Sequence, residues 1–234
     1  MNIFLSIIDC LKIFFQALRF GVLNILVENS NSNLIRALGF LNPFFILNHK
    51  VPQGLRIKNF LESLGPMFIK FGQLLSTRTD VVPLGITSYL RGLTDQCQSF
   101  PTHKAKQIIE DSLKIKIEDV FEDFEDKPLA AASLAQVHRA RIKNTSEKVV
   151  VKVLRPGIHK KVRRNVRVMR AGGFLLKIFY KESERLRLKD VIDDYERTIF
   201  KELDLKVEAA NTTVTKKNFD NSDLLFIPKV FWDQ

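Results

Sequence analysis

The hydrophobic period changes twice along the chain, and these two changes restrict the possible folds. Residues 55–115 carry apolar side chains at helical spacing, residues 117–154 follow strand periods, and the chain returns to helical spacing from Arg155 onward. The middle stretch predicts three short strands, the last two joined by a turn at residues 143–146. A final strand is predicted at residues 224–227. This order predicts an α+β fold in which a small antiparallel sheet is flanked by helices.

Composition restricts the compartment and the kind of partner. Hydrophobic residues make up 45% of the 234 residues, which is enough apolar surface for a folded core. Two cysteines, Cys10 and Cys97, are too few for a disulfide framework, and the four histidines form no ligand cluster with them. We therefore expect a reducing compartment and no structural zinc. The net charge of +11 predicts an anionic partner without distinguishing a phosphate, a nucleic acid or a lipid surface.

Residues 2–27 form an apolar stretch that charges interrupt. Asp9, Lys12 and Arg19 keep each apolar run below the roughly 18–20 residues that cross a bilayer, and no cleavage site follows a basic start. Polar residues recur every three or four positions, which predicts an amphipathic helix with a narrow polar stripe. Two interpretations stay open, an interfacial membrane helix over residues 1–28 and a helix buried in its own protein.

Most of the positive charge lies in one segment. Residues 155–185 hold ten basic residues against two acidic ones, which is +8 of the total charge. A solvated helix face is the commonest explanation, and contact with anionic lipid is the functional alternative for residues 159–181. We expect no nucleic-acid partner, because the segment lacks interleaved exposed aromatic residues and a groove-binding motif.

One lysine, Lys152, lies inside an otherwise apolar strand pattern, residues 149–153. Its ammonium must point to solvent or be held by an anion, because an unpaired buried charge is costly. Upstream, residues 127–137 join two strands through small side chains, which let a backbone lie close to a ligand. A small-residue loop followed by a lysine-bearing strand is the layout of a kinase-type nucleotide lobe, with alanine in place of glycine. The small residues are Ala130, Ala131, Ala132 and Ser133.

A carboxylate partner for Lys152 is expected on the helix predicted over residues 188–219. The candidates are Glu202, Asp204 and Glu208. On a continuous helix Asp204 and Glu208 share a face as an i, i+4 pair, and Glu202 points away from both. Taken alone, these acids are explained more simply by a charged, solvated helix face.

A second polar cluster follows Gly65 and Pro66 on another predicted helix. Lys70 and Gln73 are three residues apart and therefore neighbours, and Gly72 permits the close approach of a backbone or ligand. By itself this pattern describes an amphipathic helix with a polar edge.

Taken together, four motifs in this order resemble the UbiB family of atypical kinase-like proteins, which supports ubiquinone (coenzyme Q) biosynthesis. The resemblance runs from about Leu64 to Trp232, and the residues before Leu55 match only loosely. The motifs are Lys70-x-Gly72-Gln73, Ala130–Ser133 with Gln136–Ala140, Val151–Val153 with Arg155–Gly157, and Glu202-x-Asp204 with Glu208–Asn211.

The resemblance implies a site for ATP or another nucleotide with magnesium. It makes Lys152 the residue that contacts the phosphates and Glu208 its helix partner. The implied nucleotide-binding residues are Ala130, Ala131, Ala132, Ser133, Val137, Lys152 and Glu208. The implied family signature folds over the pocket where a protein substrate would sit, which disfavours protein-kinase activity and fits an ATPase or small-molecule role. The signature residues are Lys70, Gly72, Gln73, Glu202, Asp204 and Asn211.

The sequence departs from the family after Lys152. Kinases place a catalytic-loop Asp and Asn and a metal-binding Asp in a second lobe, and no such motif follows here. We therefore expect a truncated or split ATP-binding lobe, inactive alone and without metal ligands, at the cytoplasmic face of a bacterial inner membrane. Its expected partners are an anionic membrane, lipid-like quinone precursors and a separately encoded C-terminal lobe. The alternative is a non-catalytic membrane- or lipid-binding module that acts through the N-terminal helix and the basic helix.

The expected organisation has four parts. Residues 1–28 form the amphipathic helix, and residues 29–54 a linker and short helix. Residues 55–116 form a helical extension with the Lys-x-Gly-Gln motif, and residues 117–234 the kinase-like N-terminal lobe.

Overall fold

The computed structural model describes residues 3–28, 42–44, 48, 50–94, 97–179, 187–220 and 222–232. The helices are α1 (Ile3–Arg19), α2 (Val22–Glu28), α3 (Gln53–Leu64), α4 (Pro66–Thr77), α5 (Leu84–Leu90), α6 (Thr102–Leu113), α7 (Ile117–Val120), α8 (Ile158–Phe179), α9 (Leu188–Glu202) and α10 (Leu205–Asn218). The strands are β1 (Phe121–Phe124), β2 (Ala130–Ala131), β3 (Ala135–Ile142) and β4 (Lys148–Leu154). The first compact unit comprises Met1–Asp95 and Lys160–Glu196, and the second comprises Gln96–His159 and Arg197–Gln234.

The first unit is helical and is built on amphipathic faces. On α8, Val162, Val166 and Met169 recur at helical spacing and are buried, while the basic residues between them are exposed. Residues 160–196, which follow the strands in sequence, group with the N-terminal helices.

Tyr195 joins two helices inside this unit. It lies on α9, and its buried hydroxyl donates a 2.7 Å hydrogen bond to the Met67 carbonyl oxygen on α4. Its ring also meets Phe71 edge-on, with 5.2 Å between ring centroids. The bond satisfies a hydroxyl that would otherwise be costly to bury.

The second unit is built on a four-stranded antiparallel sheet. Strand β4 pairs along the whole of β3, so β1 and β2 share the other edge of β3. Helix α6 packs on one face of the sheet. The buried residues of this core are Phe100, Ala105, Ile109, Ile117, Val120, Phe121, Ala140, Ile142 and Val153. The α+β class and the small antiparallel sheet agree with the sequence prediction.

Two strand predictions were wrong. Residues 117–154, all of which the structure describes, contain four strands in place of the three predicted, because residues 130–131, expected to be a loop, form β2 against β3. Alanine disfavours strands, so only pairing with β3 specifies this one. Residues 224–227 form no strand, since Leu224 lies in a turn and no described strand pairs with the segment.

Two helix predictions were also wrong. The N-terminal helix ends at Arg19, and Gly21 adopts a φ of 67° before α2 begins. The helix predicted over residues 188–219 is interrupted at Leu203 and Asp204, which separate α9 from α10. The linker predicted at residues 29–54 lies largely outside the described residues.

None of the described helices combines the length and the apolar character that crossing a bilayer requires.

We expect Tyr195→Phe to lower the free energy of unfolding by about 1–2 kcal/mol, because the Met67 carbonyl loses its buried donor. Tyr89→Phe is the matched control, since Tyr89 is exposed. It should change this free energy by less than about 0.5 kcal/mol. Urea denaturation of the three proteins measures the difference, and equal stabilities for the two variants would contradict the role of this bond.

Candidate functional site

Lys152 lies on the open face of the sheet. Along β4, Lys148, Val150 and Lys152 are exposed, while Val153 is buried in the core. This alternation is that of a strand with one covered face. The sequence left two alternatives for the Lys152 ammonium, exposure to solvent or contact with an anion. The structure shows both, because the side chain points away from the core and also contacts an anion.

That anion is the carboxylate of Glu208 in the first turn of α10. The Lys152 Nζ lies 2.6 Å from each carboxylate oxygen of Glu208. The two side chains are 41% and 47% exposed. An ion pair this exposed contributes only about 0–1 kcal/mol to stability. Its main consequence is geometric, because it fixes where the ammonium lies on the sheet.

Asp204 positions Glu208 by starting α10. Its carboxylate accepts hydrogen bonds from the backbone N–H groups of Lys206, at 3.0 Å, and Val207, at 3.2 Å. Asp204 is therefore the N-cap of α10 and does not lie on a continuous helix with Glu202. The Asp204 carboxylate therefore binds backbone N–H groups, and the Glu208 carboxylate binds Lys152.

Polar contacts hold α10, which has no buried residue. Besides the Glu208 pair, the Trp232 indole N–H donates to the Thr213 hydroxyl at 3.2 Å. The Lys216 ammonium donates to the Ile227 carbonyl oxygen, also at 3.2 Å. A helix held in this way depends on its cap and its ion pair more than on packing.

The alanine loop forms a tight hairpin between β2 and β3. The Ala132 N–H donates to the Ala135 carbonyl at 2.8 Å and closes the turn. Ser133 and Leu134 at the tip are buried, whereas Ala130 and Ala132 are exposed. The small side chains therefore leave the backbone of the hairpin accessible from one side.

A strip of small apolar side chains runs beside Lys152. Val137 is the cross-strand partner of both Lys152 and Ala130, so all three emerge on the same face. Val150, two residues before Lys152, lies on this face and is 58% exposed. Val150 is not among the site residues predicted from the sequence, although the alternation along β4 indicates it. An open apolar strip that ends at a cation fits a planar base followed by phosphate groups.

The Lys-x-Gly-Gln motif lies on α4 in the first unit. The Gln73 amide donates to the Leu93 carbonyl at 3.1 Å. Gly72 is buried, and a Cβ added there would lie 2.4 Å from Leu93 Cδ1, so a larger residue would require this leucine side chain to shift. Lys70 is half-buried on the same helix. The close approach at Gly72 is thus made by a leucine side chain of the same unit.

The acidic part of the family signature lies in the second unit. Glu202 is the last residue of α9, Asp204 caps α10, and Asn211 is exposed one turn after Glu208. The family resemblance also implies that Glu202 or Asp204 holds Lys70 and Gln73, and this contact stays a prediction.

Two arginines in the first unit are engaged by carboxylates. Hydrogen bonds from Arg78 hold the pKa of Asp80 below its usual value. Hydrogen bonds to Asp193 and the charge of Glu196 raise the pKa of Arg170 on α8, with N–O distances of 2.7 and 2.6 Å. Part of the basic face of α8 is therefore already neutralised.

Within the described ranges, no group of three or more His, Cys, Asp or Glu residues could hold a metal ion.

Comparisons with known proteins identify relatives. Residues 92–234 match the model of the ABC1 atypical kinase-like domain. A probable protein kinase UbiB from Azotobacter vinelandii is 43% identical over 202 residues, covering 85% of this chain and 37% of that protein. The protein of the same name from Marinobacter nauticus is 45% identical over 184 residues, covering 79% of this chain and 34% of its own length. The chain thus spans little more than a third of these relatives.

Solved structures also match this chain. The complex of Rv3197 with erythromycin from Mycobacterium tuberculosis aligns with 84% of this chain and 46% of that one, at 24% identity and a TM-score of 0.47.

We expect Asp204→Ala to speed amide hydrogen exchange at residues 206–211 about fivefold, because α10 loses its N-cap. Asp204→Asn should retain slow exchange, since asparagine caps helices equally well. Asp220→Ala, which removes an exposed carboxylate beyond the helix, is the control. Unchanged exchange in Asp204→Ala would contradict the dependence of α10 on its cap.

Proposed function

The chain belongs to the ABC1 family of atypical kinase-like proteins, and on this premise we propose that it supplies the nucleotide-binding lobe of a UbiB-like protein that supports ubiquinone biosynthesis. One observation carries the proposal. The Lys152 ammonium is held by Glu208 on the open face of a small sheet, next to a hairpin of small residues. Kinase-type lobes place a lysine–glutamate pair in this way to hold ATP phosphates.

Each part of the open face has a role in this proposal. Val137, Val150 and Ala130 provide the apolar surface against which the base lies. Lys152 contacts the phosphate oxygens, and Glu208 keeps its ammonium in place. The alanine hairpin bounds the phosphates on one side. ATP itself supplies the phosphoryl group, and magnesium accompanies it.

Phosphoryl transfer or ATP hydrolysis needs catalytic and metal-binding residues, which kinases carry in the lobe that follows the nucleotide lobe. No catalytic-loop or Asp-Phe-Gly motif occurs after Lys152 in this sequence. In the proposal a C-terminal lobe, on the same polypeptide or encoded separately, supplies the metal-binding and catalytic residues. The substrate class is then lipid-like quinone precursors.

A second candidate function, binding to an anionic membrane, is supported by α1. Leu11, Phe14 and Phe15 are 62%, 55% and 53% exposed on this helix, beside the exposed Lys12. Apolar residues next to a cation are typical of a helix that lies at a lipid interface. On α8 the exposed Lys160, Lys161 and Arg167 would add attraction to anionic headgroups, whereas Arg170 is already paired. The two candidates are compatible, and together they give a peripheral position on the cytoplasmic side of a bacterial inner membrane.

We expect magnesium-ATP to raise the melting temperature of the wild-type chain and Lys152→Ala to abolish this shift. Losing a charge-assisted contact to phosphate should weaken binding at least about tenfold. Lys148→Ala is the matched control, because Lys148 is exposed on the same face of the same strand. Isothermal titration calorimetry with ATP and ADP gives the dissociation constants.

Two outcomes would contradict the nucleotide site. One is a wild-type protein that neither shifts nor binds either nucleotide. The other is equal loss of binding in Lys148→Ala and Lys152→Ala, which would indicate general attraction to positive charge.

We expect the protein to float with vesicles of phosphatidylglycerol and phosphatidylcholine. Replacing Leu11 and Phe14 by serine should lower the bound fraction about tenfold, because two inserted apolar side chains are lost. The control replaces Leu224 and Phe226, which are exposed in the second unit, by serine. No flotation of the wild-type protein at low or high salt would exclude this second function.

A further inference from the structure

Arg155 directly follows β4 and connects the alanine hairpin to a neighbouring segment. Its Nε donates to the Ala132 carbonyl oxygen, and an Nη donates to the Gln98 carbonyl oxygen, both at 2.8 Å. The guanidinium carbon also lies 5.8 Å from the centre of the Phe100 ring. One half-buried side chain thus joins the hairpin to residues 97–100.

Backbone contacts anchor the hairpin at two further points. The Arg155 N–H donates to the Leu134 carbonyl at 2.8 Å, and the Cys97 N–H donates to the Ala131 carbonyl at 3.3 Å. With the Arg155 side chain on Ala132, three carbonyl groups of the hairpin have donors. The buried side chains at the tip add a hydrophobic anchor. The hairpin therefore differs from a free-standing, flexible loop.

The segment that receives these contacts is itself held by a buried polar chain. The Phe100 N–H donates to Gln136 Oε1 at 3.0 Å, and Gln136 Nε2 donates to the Phe100 carbonyl at 3.2 Å. Gln136 Nε2 also lies 2.8 Å from His138 Nε2, and His138 Nδ1 lies 2.8 Å from the Glu125 carbonyl. Both side chains are fully buried. Residues 97–100 are thus a fixed support for Arg155.

We propose that Arg155 is a positioning residue that fixes the alanine hairpin relative to Lys152 and so sets the affinity for nucleotide. The proposal rests on the nucleotide site proposed above. Arg155 and Lys152 are three residues apart, so one strand sets the position of both the cation and the hairpin. A guanidinium can donate to two carbonyl groups at once in a fixed planar geometry, which a lysine ammonium cannot reproduce.

The test compares Arg155→Lys and Arg155→Met with wild type in the full chain. In both variants, amide exchange at residues 131–135 should be about tenfold faster, since at least one bond from a charged donor is lost. Exchange in the centre of β3 should stay unchanged, which shows that the fold is intact. The dissociation constants for ATP and ADP should rise at least about fivefold, since a mobile hairpin must be ordered on binding.

Two controls separate positioning from general effects. Arg91→Met removes an exposed arginine from the first unit, outside the proposed site, and should change neither quantity. Lys152→Ala should weaken nucleotide binding and leave exchange at residues 131–135 as in wild type.

Unchanged exchange at residues 131–135 in both Arg155 variants would overturn the proposal. Faster exchange with unchanged dissociation constants would also overturn it, because Arg155 would then be structural only. If the wild-type protein binds no nucleotide, the proposed function fails together with the effect of Arg155 on affinity. The exchange comparison would still decide whether Arg155 anchors the hairpin.

Discussion

An exposed ion pair joins the sheet of the second unit to a helix that buries none of its own side chains. Lys152 and Glu208 form this contact, and Asp204 fixes where the helix begins. Because the pair is open to water, its strength is modest and responds to charge brought nearby. An anion that binds Lys152 therefore acts directly on the contact that places α10. Hydrophobic packing fixes the other sheet face, so the two faces differ in how firmly they are held.

The fold was predictable where the local sequence pattern determines the secondary structure. The β-branched run around Val150 specifies a strand, and the turn at residues 143–146 specifies its hairpin. The predictions were wrong where contacts with residues distant in the sequence determine the secondary structure. Ala130 belongs to a strand only because β3 lies beside it, and the apolar residues 224–227 are not a strand because no strand pairs with them. The break before α10 was missed because an N-cap aspartate and a mid-helix aspartate look alike in a sequence.

The candidate site was predictable in part. The lone lysine in an apolar strand marks Lys152 by itself, whereas the choice of Glu208 over Glu202 came from a family resemblance. Arg155 belongs to one of the motifs found in the sequence. Its hydrogen bonds to two carbonyl groups could not be predicted, since every residue has a backbone carbonyl and the sequence does not indicate which ones accept. The position of Lys70 relative to the second unit depends on how whole helices and strands are arranged. A local sequence pattern carries no information about that arrangement.

The anchored tip of the alanine hairpin has a consequence for the time course of binding. With Ser133 and Leu134 buried, the backbone around them is already ordered before any ligand arrives. A ligand that binds against the hairpin then loses its own freedom of motion but lowers the conformational entropy of the protein only slightly. Its entry and departure would not wait for a loop to close and reopen, so exchange of bound for free ligand can be rapid.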